Sequence, residues 1–375
     1  MAVSIYEVAE EANVSIATVS RVLSGGQSAR VAPATEKRVR EAARHLDYHP
    51  SGVARGLARG RMNTVGLVLY YEQPSVTSDS YLGPCLDGIL AAHKRRRQNT
   101  VLFTESSWAE ALEHLPSYCN GYCDGLLLLV PRTDSAIVEA LQRRTIPFLL
   151  VGDSRDAPGL TCADVDNVGA ARDAVRHLLD LGHRRVAAFC GSDVFTSSAQ
   201  RLAGYQQAHA EAGITPDPRL VLPDSYFDAP TTGYGNLCRV LDLPRSERPT
   251  AVFCFNDTIA FGALRAARDR GVPVPEQMSV IGFDDVPAAA LSQPALTTVR
   301  QPIHDLGERA AELLLARING AAAGERELLP AELVIRATTA PPLGGAAYQS
   351  TPFNQTCETD VLEPLPAPNQ KGTHP

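Results

Sequence analysis

Two groups of residues in this sequence have the types and spacing to do chemistry, and in both the chemistry is recognition. The first is the run from Ile5 to Leu23. Ile5, Val8, Ala9 and Ala12 repeat at helical spacing, Asn13 breaks the repeat, and Ser15 restarts it as an N-cap before Ile16 to Leu23. So tight a turn needs a left-handed backbone at Asn13, which asparagine tolerates better than any residue except glycine. Ala9 is small where the two helices cross, Val14 plugs the turn, and Val19 and Val22 face the first helix from the second. This leaves Ser15, Ile16, Ala17, Thr18, Ser20 and Arg21 outside. Short hydroxyls reach phosphates, and a guanidinium reaches a guanine edge in the major groove. The pattern is a helix-turn-helix.

The second group stands at the ends of short apolar runs. Tyr70 closes the run from Val65, Asn256 and Asp257 follow Ala251 to Phe255, and Asp284 and Asp285 follow Ser279 to Phe283. Arg201 is expected to open the helix after Val186 to Cys190. In open α/β sheets ligands bind at the carboxyl ends of strands. A carboxylate and a guanidinium facing one cleft suit a neutral polyhydroxylated ligand, because each makes charge-assisted bonds to vicinal hydroxyls. A structural ion pair or helix cap is the competing role for Asp284 and Arg201, and the better one for Asp257 and Asp285.

Metal and enzyme chemistry find little support. Asp164 and Asp166 beside Asn167 read as a cleft-edge loop, and of the eight cysteines only Cys119 and Cys123 are close, with no second pair to complete a tetrahedral site. The cysteines are expected to be reduced, mostly buried thiols. There is no GxSxG elbow, no GxxxxGK[ST] loop and no HExxH pair, and Gly233-Tyr234-Gly235 lacks the third glycine of a dinucleotide fingerprint. No cofactor and no metal are expected.

The elements that must position these residues are of two kinds. The head is helical: the pair already described, then an amphipathic helix from about Pro33 to Leu46 with Val39, Ala42, Ala43 and Leu46 on one face. From Asn63 onward, continuously apolar runs alternate with helical segments. Besides those named, the runs are Thr100 to Thr104, Leu126 to Val130 and Phe148 to Val151. Unbroken hydrophobicity marks strands covered on both faces, as in a parallel sheet. Helices over Asn167 to Leu181, Arg201 to Ala212 and Asp257 to Arg270 each end at a glycine (Gly182, Gly213, Gly271) suited to a left-handed cap. So many strands in 375 residues predict two doubly wound lobes with a cleft between them. The segment from Pro341 to Pro375 lacks periodicity and is expected to be a disordered tail.

Charge separates the same parts. Residues 1–61 carry nine Lys/Arg and six Asp/Glu, a balance of plus three, whereas the remainder carries 26 and 36, a balance of minus ten. A positive head on an acidic body fits a nucleic-acid partner for the head alone. No apolar run is long enough for a membrane helix, and the first residues do not resemble a secretory signal, so the expected location is the cytoplasm with no membrane partner.

The sequence resembles the lactose-repressor/galactose-repressor family of bacterial transcriptional regulators. The matching text is VAEEANVSIATVSRVLSG at 8–25, Tyr48-His49-Pro50, and Val53-Ala54-Arg55-Gly56-Leu57-Ala58 in the front part. In the body it is VDN at 165–167, HLLDLGHRR at 177–185, RLAGY at 201–205, FND at 255–257, VIGFDD at 280–285 and LTTVRQP at 296–302. The resemblance spans about residues 3 to 342. It implies a helix-turn-helix head (1–49), a hinge helix and linker (50–63), a first effector lobe (64–163 plus about 300–325), a second lobe (164–299 plus about 326–340) and a tail (341–375). The hinge helix would form on DNA, with Leu57 wedged into the minor groove and Ala54 packed against its dimer mate; kinking the duplex costs a few kcal/mol, recovered in new contacts. Alone, so short a glycine-containing segment is not a stable helix.

The resemblance also implies a periplasmic-binding-protein-like body with Arg201 and Asp284 as its main polar effector contacts. Asn256 is a third, Phe227 an aromatic stacked on the ligand, Tyr70 an entry residue on the other lobe, and Ile303 and Leu306 the floor. Where many members carry an aspartate or asparagine after the fourth strand, this chain has Gly152 followed by Asp153. The implied partners are double-stranded operator DNA, a sugar-like effector and a second copy of the chain, with a tetramer left open. A solute-binding protein or a carbohydrate-metabolising enzyme on the same two-lobed body are the alternatives. The head and the missing secretory signal oppose the first, and an assay for turnover of bound sugar separates the second.

Overall fold

The computed structural model describes residues 3–24, 31–49, 56, 60–70, 76, 79–223 and 229–343. The hinge positions Ala54 and Leu57, the aromatic Phe227 and the tail from 344 lie outside the described residues.

Three helices make the head: α1 (Ile5–Glu11), α2 (Ile16–Ser24) and α3 (Pro33–His45). Val8, Ala9, Ala12, Val19, Val22, Val39, Ala42 and Ala43 form its core. Asn13 has φ 50°, as the tight turn requires. Ser15 caps α2 by accepting from the Thr18 backbone N–H at 3.2 Å, so its hydroxyl fixes the helix start.

The body is two six-stranded sheets. Its elements in chain order are β1 (Thr64–Tyr70), α4 (Leu82–Arg96), β2 (Asn99–Glu105), α5 (Trp108–Glu113), α6 (Leu115–Tyr118), β3 (Gly125–Leu129), α7 (Ile137–Gln142), β4 (Phe148–Val151) and β5 (Cys162–Val165). There follow α8 (Asn167–Asp180), β6 (Val186–Phe189), α9 (Thr196–Glu211), β7 (Val221–Leu222), α10 (Ala229–Leu241), β8 (Ala251–Cys254), α11 (Asp257–Asp269) and β9 (Ser279–Asp284). The chain closes with α12 (Pro287–Leu291), β10 (Thr297–Arg300), α13 (Ile303–Ile318), β11 (Arg326–Leu329) and β12 (Glu332–Val334). The first sheet runs β11-β5-β4-β3-β1-β2, parallel throughout, and the second β12-β10-β9-β8-β6-β7, with only β12 antiparallel to its neighbour. In both, the strand order reverses beside the first strand of the lobe, which opens a crevice at the carboxyl ends.

The strands are buried because helices cover both faces. On one face of the first sheet, Val65, Leu67 and Leu69 pack with α4 and α13; on the other, Val68 packs with Trp108, Leu115 and Tyr118. Helices α4 and α13 approach so closely that a Cβ at Gly88 would collide with the His304 carbonyl oxygen, and one at Gly307 with that of Cys85. Only glycine permits this crossing.

The expected lobe boundaries shift. Cys162–Val165 and Arg326–Leu329 pair with each other in the first sheet, so the chain crosses between lobes after 165, after 300 and after 329, where the sequence placed the first and third crossings at 164 and 326. Helix α9 also starts earlier than expected, at Thr196, which puts Arg201 in its second turn. Gly182, Gly213 and Gly271 follow their helices with φ of 103°, 66° and 61°.

Candidate functional site

The outer face of the head is laid out as the helix-turn-helix pattern predicts. Ser15, Ile16, Ala17 and Arg21 are exposed and Thr18 and Ser20 half-buried, while Val19 and Val22 are buried beneath them. The His45 ring lies 2.9 Å from the Glu11 carboxylate and ties α3 to α1, so the reading helix stands on a braced platform.

The second candidate site lies at the carboxyl ends of the strands, and Arg201 is its centre. Its side chain is nearly fully buried. Nε donates to Asn167 Oδ1 at 2.9 Å, Nη1 donates to the Phe255 carbonyl, and the guanidinium carbon lies 3.7 Å from the centre of the Phe283 ring. Stacking and hydrogen bonds together hold the fork in one plane. Asp284 faces it with Oδ1 at 3.9 Å from Nη1, while Gln301 donates to the same carboxylate at 2.6 Å. Burial pushes the Asp284 carboxyl up from the ordinary carboxylate range, against the pull of Arg201 and Gln301.

From the first lobe, Tyr81 lies within the electrostatic reach of this pair. It begins α4 after Asp79, whose carboxylate accepts from the Tyr81 and Leu82 backbone N–H groups at 2.9 and 2.7 Å. Burial raises the Tyr81 phenol well above its usual value, and its electrostatic neighbours are Asp164, Arg201 and Asp284. Gly152 makes room for it: φ there is 70°, and a Cβ would run into the Tyr81 hydroxyl. The departure from the family pattern at 152 thus has a steric cause. Tyr81 is absent from the sequence expectations, because it stands at the head of α4, well beyond the strand end at Tyr70.

The two lobes are joined beside the cleft. Thr196 Oγ1 donates to Asp153 Oδ1 at 2.7 Å, Gln200 Nε2 to Ser154 Oγ at 2.9 Å, and the Thr133 N–H to the Val194 carbonyl at 2.8 Å. Asp153 is anchored within its own lobe by Arg155 Nε at 2.8 Å. Ser154 in turn donates to Asp164 at 2.8 Å, and burial raises the Asp164 carboxyl to about 6. Backbone strain collects here: Val130, Asp284 and Asp285, all non-glycine, have φ of 49°, 121° and 58°. Such conformations cost of order 1–3 kcal/mol each and persist only where the surroundings impose them.

The remaining expected residues are placed unevenly. Asn256 caps α11, its side-chain oxygen accepting from Ile259 N–H at 2.8 Å. Tyr70 packs on the opposite face of the first sheet from the cluster that holds Tyr81. Ile303 is buried, and Leu306 is fully buried among the core residues of the first lobe, which leaves it no surface for a ligand. Asp257 and Asp285 are structural, as expected. The first is fully buried between Thr298 and the Val286 N–H, the second paired with Arg300 and Arg336 at 2.7 and 2.6 Å. Asp166 caps α8 through the Gly169 N–H.

Residues 4–51 match the bacterial regulatory proteins of the lacI family, and residues 175–339 match a periplasmic binding protein-like domain. Over 85% of its length the chain is 33% identical to catabolite control protein A of Priestia megaterium, covering 93% of that protein. The chain belongs to the lacI family. As a lacI-family protein it is a DNA-binding transcriptional regulator with a ligand-binding body, and its relatives are regulators, not enzymes. It is 34% identical to the transcriptional regulator CelR of Thermobifida fusca (84% of this chain, 91% of the relative) and 33% identical to the repressor CytR of Escherichia coli (90% and 96%). Among solved structures, the lac repressor dimer bound to operator and the anti-inducer ONPF superposes with a TM-score of 0.76 at 27% identity, covering 91% of this chain and all of that one. The CelR–cellobiose complex gives 0.69 at 31% identity, over 90% and 99%.

Proposed function

We propose that this lacI-family regulator represses transcription as a homodimer on a palindromic operator and responds to a neutral polyhydroxylated molecule held between Arg201 and Asp284. The observation that carries the ligand reading is the 3.9 Å separation of these two buried, fixed groups. It is longer than a hydrogen bond, so a ligand hydroxyl gains a charged acceptor and a charged donor at once. The CelR structure carries cellobiose, which supports a sugar-like ligand. Ser15, the cap of α2, and Ile16, Ala17, Thr18, Ser20 and Arg21 within it enter the major groove, and two-fold symmetry of the protein is mirrored in the half-sites. Leu57 and Ala54 act in the hinge, Phe227 stacks on the ligand and Asn256 uses its amide nitrogen toward it.

The test is a thermal-shift screen of mono- and disaccharides and nucleosides against the full chain. A specific ligand raises the melting temperature by mass action. The hit must lose its effect in Asp284→Asn; a shift retained in full by that variant places the ligand elsewhere.

A further inference from the structure

The amino ends of the first sheet form the face to which the head is tethered. The Asn99 N–H donates to the Asn63 carbonyl at 2.7 Å, the Asp124 N–H to Thr64 at 2.8 Å and the Leu126 N–H to Pro147 at 3.0 Å, so the loops before β2, β1, β3 and β4 stand side by side. Arg61, where the linker arrives, donates to Asn319 Oδ1 and to the Ile318 carbonyl at 2.6 Å each. Asp124 is spent on the same anchorage, accepting from the Met62 N–H at 2.8 Å.

On an otherwise acidic body this face is basic. Before β2 stands the run His93-Lys94-Arg95-Arg96-Arg97, and before β4 stand Arg143 and Arg144. Arg95 and Arg96 are neutralised by Glu308 and Glu312 at 2.7 Å each. Lys94, Arg97, Arg143 and Arg144 are exposed, and among the described residues no carboxylate comes within 4.0 Å of any of them. Toward the far edge Arg326 stands beside Glu325, so the surplus belongs to the β2–β4 side. Balancing the carbonyl end of α4 explains Lys94 in its last turn. It does not explain Arg97, which lies past the helix with φ 54°, or the pair after the short α7.

We propose that this rim is a second DNA contact, in which Lys94, Arg97, Arg143 and Arg144 of the body bind phosphates of the duplex flanking the site read by the head. The proposal rests on the DNA-binding reading of the head and adds a surface to it. From His49 to Gly60 the linker spans at most about 38 Å even fully extended, so bound DNA stays near this face. Strands β2 and β4 are three spacings apart, roughly 14 Å, comparable with the width of one groove between phosphate strands.

The experiment measures binding of the full chain to random-sequence duplexes of about 40 and about 16 base pairs, from about 50 to about 200 mM salt. Wild type is compared with Lys94→Gln/Arg97→Gln, Arg143→Gln/Arg144→Gln and the quadruple variant. Each phosphate that a variant no longer neutralises flattens the slope of log K against log salt by about 0.9, so each double variant, losing two contacts in each protomer of the dimer, should flatten it by up to about 3.6 on the long duplex. On the short duplex, which the head covers, the variants should match wild type. An unchanged slope on the long duplex overturns the rim, and so does an equal loss on both lengths, which places the rim's action on the head. Wild type that binds neither duplex overturns the DNA-binding reading itself, a result distinct from both.

Discussion

Arg201 and Asp284 oppose each other at 3.9 Å, and neither is free to close the distance. Asn167, the Phe255 carbonyl and the Phe283 ring hold the guanidinium, and Gln301 holds the carboxylate. The pair is an ion pair without a hydrogen bond; a hydrogen-bonded one would fill the site. Under the proposed function the two charges, held apart, take a ligand hydroxyl between them in a low-dielectric cleft, where charge-assisted bonds contribute about 1.5–3 kcal/mol each.

Asp284→Asn should therefore weaken the effector by roughly tenfold or more while leaving operator affinity near wild type, since Asp284 is remote in the fold from the head. Operator binding measured with and without saturating ligand checks both halves of the statement. A full ligand response in Asp284→Asn would sink the cleft assignment.

The bonds between lobes set a second expectation. Thr196 to Asp153 and Gln200 to Ser154 join α9 to the loop after β4. An effector shifts the equilibrium between lobe arrangements only by its differential affinity for them, and these bonds favour the arrangement in which the lobes are joined beside the cleft. Thr196→Val with Ser154→Ala removes the two side-chain bonds between the lobes, worth about 0.5–1.5 kcal/mol each, and leaves the Asn167 bond to Gln200 in place, so ligand affinity should fall by roughly fivefold to 150-fold as the joined population shrinks. Small-angle scattering of the ligand-free variant should show a larger radius of gyration. Unaltered scattering and affinity would mean that the lobes do not separate in solution.

Asp257 gives the pH expectation. Burial raises its carboxyl well above the ordinary range, and the nearby Asp284 carboxylate pushes the same way. The folded state then holds a proton that the unfolded state releases, so this contribution is complete below the unfolded value and fades as pH rises through the folded one. Buried His93, lowered to about 4, has the opposite slope at acid pH, so total stability is a poor readout there. The difference between wild type and Asp257→Asn isolates Asp257 together with the Asp284 carboxyl that it faces: the variant's deficit in melting temperature should shrink steadily from about pH 5 to about pH 9. A constant deficit would show that Asp257 is ionised throughout.

Helix stops, and helix starts that carry a local signal, are legible in the sequence because their physics is local, whereas the start of α9 at Thr196 has no side-chain cap to announce it. Asn13, Ser15, Gly182, Gly213 and Gly271 each act within a turn of themselves, and each stands where its type predicts. Strand β10 is hidden, because Thr297-Thr298-Val299 reads as polar although all three are buried: the Thr298 hydroxyl donates to Asp257, and the Thr297 hydroxyl meets that of Thr339 and accepts from the Arg336 N–H. Edge strands β11 and β12 alternate weakly and pair far along the chain, so neither pattern nor proximity announces them. In the cleft, Arg201 and Asp284 are visible as strand-end charges. Tyr81 is not, because its importance arises from the other lobe facing it and from the missing side chain at Gly152.

The head supplies the last prediction. Arg21 is exposed in the last turn of α2, on the face opposite Val19 and Val22, whereas Lys37 lies on the flank of α3 and reaches Glu41 only at 3.9 Å. A guanidinium on the reading helix forms two parallel bonds to a guanine edge, which are worth about 1–3 kcal/mol against the wrong base. Arg21→Ala should lower affinity for a selected operator by that amount per half-site and relax the preference at one position of each half-site, with random duplex bound almost as before. Lys37→Ala should weaken both DNAs modestly and equally. Operators enriched by in vitro selection, titrated at fixed salt against a random duplex of the same length, distinguish the two. Equal losses on both DNAs for Arg21→Ala would reduce it to a phosphate contact and move base reading to Ser15, Ile16, Ala17, Thr18 and Ser20.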